Sequence, residues 1–486
     1  PRHDRPRARR AAGGAAGQKT RPIARVAAGL APSIMPFVPT QQDPARTVIM
    51  ALDGTDAVNN DAAIAAALSA VAALSPTENR RASLVTRPTN GVGDMSFNTP
   101  FQVPQFVDVY QQNGSRFRYR GTDYTQAAIT IGEVVTNSLD AALVCKGLHV
   151  SCPNHATHKF WRTDDGGSVN ENRFAGFRFG NTKSASIEIV GAIGFFIGAQ
   201  FLPAPDSLCS YNRVAIGPNW ALCKYALDLR GNTTDGYVNE NTFTGPCDLA
   251  TSTSMNAYGS AYGVRISAES GGYASNNNNT FFALCFQLAG GSGGNTFTAT
   301  AAKTAGDYVT SGGREYVVTT GGALGASAPT HTTGSAANGT TTLKYIGLYR
   351  RAPMLCDDAG RDNHIVMGRY EEGYGSPIVA KRRAEFTAGV GCTASFGYFG
   401  ACTPAANPAN GFHSDVEVQS DPVAVSSEAV ASYVSLASIH SPNFVASVSS
   451  LRTRAIIGAG GIYIPGVPVA RVYSSHGGFT ASRSVT

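Results

Sequence analysis

The chain has 486 residues, of which 15% are charged, and it is rich in Gly, with 54 copies. This length allows one long solenoid or roughly two to four ordinary domains, and so low a charge disfavours a helical enzyme. The net charge of +6 is misleading, because residues 1–30 hold eight basic residues and one acid, which leaves −1 for the other 456 residues. A neutral body argues against nucleic acid as a partner.

The basic start is predicted to be a flexible tail that runs into a Pro-rich linker over residues 1–44, with attachment to an anionic surface as the alternative. It contains no apolar stretch of the signal-peptide kind, and no run approaches the ~20 apolar residues that cross a bilayer. Nine cysteines are scattered without CxxC pairs. They predict small buried side chains in a protein made in a reducing cytoplasm, not a disulfide framework.

An amphipathic helix is predicted after the linker. Ile64, Leu68 and Val71 fall on one face of an Ala-rich run that Asn60 and Asp61 introduce as capping residues. Residues 45–150 are therefore assigned to a helix that covers one end of a β-solenoid and to its first coils, since a stacked apolar core needs a cover. Short alternating segments follow as predicted strands, at residues 84–88, 101–103, 107–109, 117–119 and 129–131.

Two short patterns recur over residues 151–380. An asparagine stands two residues before an apolar residue at six places, Asn172, Asn212, Asn241, Asn279, Asn295 and Asn363. An apolar–polar–apolar triplet precedes several copies, at residues 187–189, 227–229, 264–266 and 286–288. This repetition predicts a parallel β-helix, because each coil solves the same burial problem with short strands and Gly or Asn turns. The asparagines are predicted to form a buried ladder from coil to coil.

The order of elements near the start resembles a known family. An Asp-rich turn, the helix DAAIAAAL, a strand, a Gly-containing turn and the strand PFQVPQFVDV follow one another as at the entry of the pectate-lyase-like fold. The resemblance is to phage tailspikes and capsular depolymerases in particular, covers roughly residues 45–380 and is strongest at 53–135. In one departure, RPTNGVGDMSF replaces the usual short Pro-Gly-x-Tyr turn. The resemblance implies an all-β chain folded as a right-handed parallel β-helix and assembled as a homotrimer.

Two further regions are expected around this body. Residues 302–347 interrupt the repeat and predict an inserted antiparallel β-module, which resembles a minor module of phage tail proteins. Its removal shortens the gap between Asn295 and Asn363 from 68 residues to 22, a plausible single coil. The asparagine pattern fades over residues 381–486, which predicts a separate C-terminal β-region. In tailspikes this position holds the trimer-forming region.

The central residues of the four triplets are the candidates for catalysis. If their apolar neighbours point inward, Glu188, Asp228, Arg265 and Gln287 point outward and stack about 4.8 Å apart. In a glycosidase, Glu188 would then be the acid and Asp228 the base or nucleophile. The two carboxyl groups of such an enzyme lie ~5–9.5 Å apart. Arg265 would instead serve a lyase by neutralising a uronate carboxylate. An ordinary polar solenoid surface is the alternative.

Substrate binding is assigned to Gln287 in this column and to three residues further along. Asp357 follows a strand-like segment and could extend the column, while Tyr370 and Glu372 could hold sugar because aromatic faces stack on pyranose rings. Turn residues are the alternative for these positions. The Walker A, GxSxG, HExxH and GxGxxG motifs are missing, so no cofactor or metal is expected.

These features predict a phage or prophage tailspike, a receptor-binding protein that recognises a bacterial surface polysaccharide and, if active, depolymerises it as a glycoside hydrolase or lyase. Two alternatives keep the fold, namely a non-enzymatic virion adhesin or structural protein and a bacterial extracellular polysaccharide lyase or glycosidase. The expected location is the virion tail or the extracellular space. The expected partners are the glycan, other tail proteins and further copies of the chain, without membrane insertion.

Overall fold

Successive coils of the chain build two long parallel sheets. The computed structural model describes residues 43–90, 93–132, 142–156, 170, 172–232, 236–245, 259–269, 276–288, 296–357, 359–371, 373, 377–381, 392–400, 416–419, 470–475 and 478–483. Helical turns lie at Pro44–Arg46 and Pro153–Ala156, and one α-helix spans Asp61–Ala73. All five strands predicted before residue 132 are present. The basic tail of residues 1–42 lies outside the described part.

Sheet A is the larger of the two. Its strands follow in the order Thr47–Leu52, Ala82–Pro88, Val107–Gln111, Val144–Ser151, Ser186–Ile193, Arg213–Ile216, Thr242–Thr244, Thr280–Phe282, His364–Glu371 and Cys285–Gln287. Three more strands join it beside this path, Asp94–Phe97, Arg116–Tyr119 and Thr393–Gly400. Each pairing within it is parallel, as between Ser186 and Arg213 and between Arg213 and Thr242.

Sheet B is built from the alternate segments of the same coils. Its strands follow in the order Val416–Gln419, Ile378–Lys381, Arg351–Asp357, Ala261–Ala268, Tyr225–Gly231, Ile197–Phe201, Ala175–Phe179, Ile129–Ile131 and Phe101–Val103. A short parallel pair, Leu208–Ser210 with Tyr237–Asn239, lies between the two sheets along the chain. Parallel neighbours supplied by consecutive coils define a parallel β-helix, so the predicted fold class is confirmed.

A single apolar core runs through the coils. Phe243 stacks on Phe281 with ring centroids 5.0 Å apart, and Phe179 stacks on Phe201 at the same spacing. The seven described cysteines, 145, 152, 209, 223, 285, 356 and 392, are all buried and none is in a disulfide. This agrees with the prediction that they act as small apolar residues; Cys247 and Cys402 lie outside the described part.

The N-terminal helix packs on the first two strands of sheet A. Ile64 and Val71 join the core as predicted, but Ala67 is the third buried residue and Leu68 is only half-buried. The short side chain of Ala67 lets the helix approach the sheet more closely than a leucine at this position would. That the helix shields the end of the solenoid from water stays a prediction.

Asn60 has a different role from the one predicted. It is the N-cap residue, but its side chain makes no hydrogen bond to the first turn of the helix. Its Oδ1 instead accepts from the Asp53 backbone N–H at 2.7 Å, and its Nδ2 donates to the Ser96 carbonyl at 3.0 Å. Asn60 thus ties the helix entry to two neighbouring strands.

The asparagine ladder is confirmed for four members. The Nδ2 groups of Asn212, Asn241 and Asn279 each donate to the Oδ1 of the next member at 2.8–2.9 Å, and Asn363 ends the series. The same oxygens accept the backbone N–H of the preceding member at 3.1–3.2 Å. All four residues are at most 1% exposed. The amides therefore satisfy one another and the turn backbone in a place that water does not reach.

Two predicted members do not belong to this ladder. Asn172 contacts arginine side chains of sheet B instead. Asn295 lies outside the described part, and Asn279 bonds directly to Asn363, so no member stands between these two. The residue before each ladder asparagine has a positive φ of 52–56°, at Tyr211, Glu240, Asn278 and Asp362. This left-handed residue turns the chain so that the amide points inward.

An antiparallel unit is inserted before the last ladder residue. Its main sheet has the order Tyr308–Ser311, Arg314–Thr320, Thr341–Leu348 and Ser335–Asn338, and Ala302–Lys303 pairs with Gly322–Ala323 beside it. Glu315 fastens the unit to the solenoid, because its buried carboxylate accepts from the Ser260 N–H and hydroxyl at 2.7 Å each. The division of the chain into domains at residues 302–347 and elsewhere stays a prediction.

The parallel strand pairing of both sheets continues past residue 380. Thr393–Gly400 pairs with His364–Glu371, and Val416–Gln419 pairs with Ile378–Lys381. The solenoid therefore extends further along the chain than the fading asparagine pattern indicated, because strands of successive coils can pair without an asparagine at the turn. Further on, Ala470–Ser475 and Gly478–Arg483 form a hairpin. The predicted strands at 430–436, 455–457 and 462–464 lie outside the described part.

His149 gives the fold an expected acid sensitivity. Burial, helped by the nearby Arg116 charge, lowers the pKa of this half-buried imidazole to about 4. Because the folded pKa lies below the unfolded value of ~6.5, the stability is complete above pH ~6.5 and is lost as the pH falls towards 4. Glutamine does not titrate, so we expect the free energy of unfolding of His149→Gln to fall by about 1–2 kcal/mol less than that of the wild type between pH 7 and pH 4. Denaturation curves at pH 7 and pH 4 measure it, and equal acid losses in both proteins would contradict it.

Candidate functional site

The four residues of the predicted catalytic column do not form one column. Glu188 is exposed on sheet A, where it faces Ala215 of the next strand. Asp228 and Arg265 lie on sheet B, where they occupy directly opposed positions of adjacent strands. Gln287 is half-buried on sheet A and faces Glu371. The predicted stacking of Glu188 on Asp228 is therefore wrong, because the apolar–polar–apolar triplet recurs in strands of both sheets.

Asp228 is at the centre of the polar group that does form. Leu227 and Leu229 on either side belong to the core, so strand alternation places Asp228 on the opposite face of sheet B. Its side chain is nevertheless completely buried. Arg265 donates to both carboxylate oxygens through Nε and Nη2 at 2.9 Å, which is the bidentate geometry that guanidinium favours. Asp228 and Arg265 are thus a buried ion pair.

Two more donors complete the coordination of Asp228. Gln200 Nε2 donates to Oδ2 at 2.9 Å, and the Ser267 hydroxyl donates to Oδ1 at 2.7 Å. With the two bonds from Arg265, all four acceptor positions of the carboxylate are occupied. Asp228 would have to break these bonds before it could accept a proton from a substrate. The geometry therefore supports a structural role for it.

The electrostatics of the pair favour its charged form. Burial raises the pKa of Asp228, but the Arg265 charge and its hydrogen bonds outweigh burial and bring that pKa below its usual value. Burial likewise lowers the pKa of Arg265, but the Asp228 charge, the nearby Tyr225 and the hydrogen bonds to Asp228 together outweigh burial and bring that pKa above its usual value. The Arg265 guanidinium also lies 4.0 Å from the centroid of the Tyr225 ring. Both groups are therefore ionised at neutral pH.

A second carboxylate extends the network towards solvent. Glu269 accepts from Arg230 Nε at 2.7 Å and from Arg173 Nη2 at 3.0 Å. The exposed fraction of the side chain is 6% for Arg230, 18% for Glu269 and 32% for Arg173. Asn172 Oδ1 joins both halves of the network, because it accepts from Arg230 at 3.0 Å and from Arg265 at 3.2 Å.

Arg178 completes what we call the arginine–carboxylate cluster, which comprises Asn172, Arg173, Arg178, Gln200, Asp228, Arg230, Arg265, Ser267 and Glu269. Arg178 donates to Gln200 Oε1 at 2.9 Å and to the Arg173 carbonyl at 2.7 Å. Burial and the like charge of Arg173 lower the pKa of Arg178 to about 10, so it remains protonated at neutral pH. The cluster holds four guanidinium groups and two carboxylates, a formal charge of +2.

The residues predicted to bind substrate are scattered. Asp357 is half-buried at the end of a sheet B strand, opposite Lys381. Tyr370 is completely buried and its hydroxyl donates to the Arg351 carbonyl at 2.9 Å, so the predicted sugar contact of Tyr370 is wrong. Glu372 lies outside the described part. Among the described residues of this set, Asp357 is the one near the cluster, since Cys356 before it is in register with Ile266 before Ser267.

Several members of the cluster were missed in the sequence. Arg178 and Gln200 each stand between apolar residues, in Phe177-Arg-Phe179 and Ala199-Gln-Phe201. They therefore fit the same triplet pattern as Asp228 and could have been found with it. Arg173 is the variable residue of the Asn172 repeat, Arg230 is the penultimate residue of the strand Tyr225–Gly231, and Glu269 follows the strand Ala261–Ala268, so neither repeated pattern singles them out. Only the coil stacking brings them to the same place.

In the portion of the chain that the structure describes, no group of three or more His, Cys, Asp or Glu side chains is placed to hold a metal ion. None of its helices is long and apolar enough to cross a membrane.

Comparison with known proteins finds structural likeness but no family. No protein-family model matches the chain, and no curated protein matches it. Among solved structures, the chain is similar to the crystal structure of tailspike protein 3 of bacteriophage CBA120, with a TM-score of 0.30 and 10% sequence identity. The match covers 87% of this chain and 60% of that tailspike. The parallel β-helix follows from strand pairing alone, since a likeness of this size carries no inference.

Proposed function

We propose that this chain is a tailspike-type receptor-binding protein whose sheet B flank binds an anionic bacterial surface polysaccharide. The observation that carries the proposal is the arginine–carboxylate cluster, which has a formal charge of +2 within residues 31–486, although these residues together carry −1. Attachment to a virion tail and assembly as a homotrimer belong to the same proposal. The chain would use the solenoid as a rigid support for a repeating ligand.

The rim of the cluster suits a carboxylate-bearing sugar. Arg173 is one-third exposed and is held only by the half-buried Glu269 among the described carboxylates. A uronate carboxylate can accept from such a guanidinium in the bidentate way that Asp228 accepts from Arg265. Nine strands spaced about 4.8 Å apart give sheet B a length of roughly 40 Å, enough for several sugar units.

The arrangement of Glu188 and Asp228 supports binding of a glycan better than its cleavage. Glu188 is on the other sheet, and the acceptor positions of Asp228 are filled by Arg265, Gln200 and Ser267. A glycosidase pair must reach the same glycosidic bond from two sides. The proposal therefore assigns recognition to the cluster and gives Glu188 and Asp228 no catalytic role.

Replacement of Arg173 tests the binding site. We expect Arg173→Gln to weaken binding of polygalacturonate or alginate about tenfold, because one charge-assisted hydrogen bond is worth ~1.5–3 kcal/mol. Binding should also weaken as salt is raised from 50 to 300 mM, since the contact is ionic. Fluorescence anisotropy with labelled oligosaccharides measures both effects.

A matched control separates this site from general charge attraction. Arg213 is exposed on sheet A, so Arg213→Gln removes the same charge from the other face. We expect it to change affinity less than about twofold. Equal losses in the two variants, or equal binding of neutral dextran, would contradict a specific site at the cluster. New reducing ends in the mixture would show cleavage, and absorbance of unsaturated uronate would identify a lyase.

A further inference from the structure

Two thiols meet inside the last described coils. The Sγ atoms of Cys356 and Cys392 lie 3.9 Å apart, and both side chains are completely buried. Cys356 is on the sheet B strand Arg351–Asp357, and Cys392 directly precedes the sheet A strand Thr393–Gly400. The two sulfurs therefore face each other across the interior, between the two sheets, and they are separated by 36 residues along the chain.

At the positions equivalent to Cys356 and Cys392, the preceding coils have residues other than cysteine. Cys356 is in register with Ile266, which is in register with Leu229, so it continues an aliphatic column. Cys392 precedes Thr393, the partner of His364, and so occupies the next position of the ladder after Asn363. Asn363 Nδ2 donates to the Cys392 sulfur at 3.9 Å. The juxtaposition thus arises because two separate patterns both change to cysteine at the same level of the solenoid.

We propose that Cys356 and Cys392 form a site of oxidative modification, in which hydrogen peroxide converts the two thiols into an interior disulfide. The Cys392 sulfur attacks the peroxide, the O–O bond breaks, and a sulfenic acid and one water form. The Cys356 sulfur then attacks the Cys392 sulfur, the S–O bond breaks, and a second water leaves with the Cys356 proton. Each sulfur gives up one electron, and the peroxide takes up both.

The geometry makes this closure short. A disulfide has sulfurs ~2.05 Å apart, so the two side chains must approach by about 2 Å from their present separation. The hydrogen bond from Cys356 lowers the pKa of Cys392 in spite of its burial, which favours Cys392 as the sulfur that is oxidised first. A peroxide is nearly as small as water and can enter a packed interior when a coil opens transiently.

The disulfide would lock the two sheets together at this level. It would close a loop of 36 residues and so restrict the unfolded chain. A protein made in a reducing cytoplasm would carry the two thiols, and exposure to an oxidising medium would join them. The proposal is independent of the ligand that sheet B binds.

Peptide mapping of the folded full chain tests the proposal. Hydrogen peroxide is added, remaining thiols are alkylated after unfolding, and disulfide-linked peptides are identified by mass spectrometry. We expect one main linkage, between Cys356 and Cys392, at about tenfold excess over any other disulfide. The buried Cys209 and Cys223 serve as internal controls and should remain alkylatable. Intact thiols at both positions, sulfinic acid at Cys392 without linkage, or a linkage to another cysteine would each overturn it.

Two variants and a second readout separate the disulfide from general oxidation. Cys356→Ser and Cys392→Ser should each abolish the linkage, and either variant suffices if the other fails to fold. In the wild type, oxidation should slow unfolding in denaturant about tenfold, and dithiothreitol should restore the original rate. Equal slowing in Cys356→Ser would overturn the proposed locking.

Discussion

Asp228→Ala should lower the free energy of unfolding by about 3–5 kcal/mol, because it leaves the Arg265 guanidinium buried without a carboxylate. The exposed fractions of the two side chains are 0% and 2%, so water cannot replace the lost partner. Gln200 and Ser267 lose an acceptor at the same time. Equilibrium denaturation with urea measures the loss, and Glu188→Gln on the exposed face of sheet A is the matched control, expected to stay within ~0.5 kcal/mol.

A double-mutant cycle distinguishes the ion pair from ordinary loss of packing. Replacing both Asp228 and Arg265 by Leu removes both buried charges, so we expect the double variant to be more stable than either single variant. The coupling between the two positions should reach about 2 kcal/mol or more. Additive losses would mean that the pair contributes no more than two independent side chains. They would also remove the structural role that we assign to Asp228.

Asn241→Ala should cost about 3–5 kcal/mol, because one amide in the middle of the ladder serves several buried partners. Its Oδ1 accepts from the N–H and the Nδ2 of Asn212, and its Nδ2 donates to the Cys209 carbonyl and to Asn279 Oδ1. Each buried polar group that loses its hydrogen-bond partner lowers the free energy of unfolding by ~1–3 kcal/mol, and the total is smaller than the sum because some of these groups find new partners. Denaturation with urea again measures the loss, with the exposed Asn113→Ala as control.

Asn241→Asp tests whether donation by the amide matters. A carboxylate at this position cannot donate to the Cys209 carbonyl or to Asn279 Oδ1, and it would place a charge in the core. Protonation restores one donor, so this variant should be closer in stability to the wild type at pH 4 than at pH 7. A loss that does not change with pH would show that the ladder depends on shape and not on hydrogen bonding.

The buried centre and the solvent-facing rim of the arginine–carboxylate cluster have different expected roles. Asp228 and Arg265 are buried at its centre, whereas Arg173 and Glu269 form its solvent-facing rim. We therefore expect Asp228→Ala to act mainly on unfolding, and Arg173→Gln to act mainly on ligand affinity. A binding loss in Arg173→Gln that is accompanied by an equal loss of stability would mean that the cluster only holds the coils together.

The repeat, the fold class and the four ladder asparagines could be predicted from the amino-acid sequence. Asn212, Asn241, Asn279 and Asn363 could be predicted because each coil must satisfy the same turn backbone, and the same residue solves that problem each time. The buried cysteines followed from their type and spacing in the same way. These are local requirements that recur, so they leave a periodic mark in the sequence.

Which polar residues contact one another could not be predicted, because it depends on how the coils stack. Alternation along a strand tells which side a residue faces, but it does not tell which sheet the strand joins or what covers that side. Glu188 and Asp228 share the same local pattern yet lie on different sheets, and Asn172 shares the ladder pattern yet bonds to Arg230 and Arg265. Turn lengths and contacts between distant coils set these placements, and neither has a period that a single chain displays.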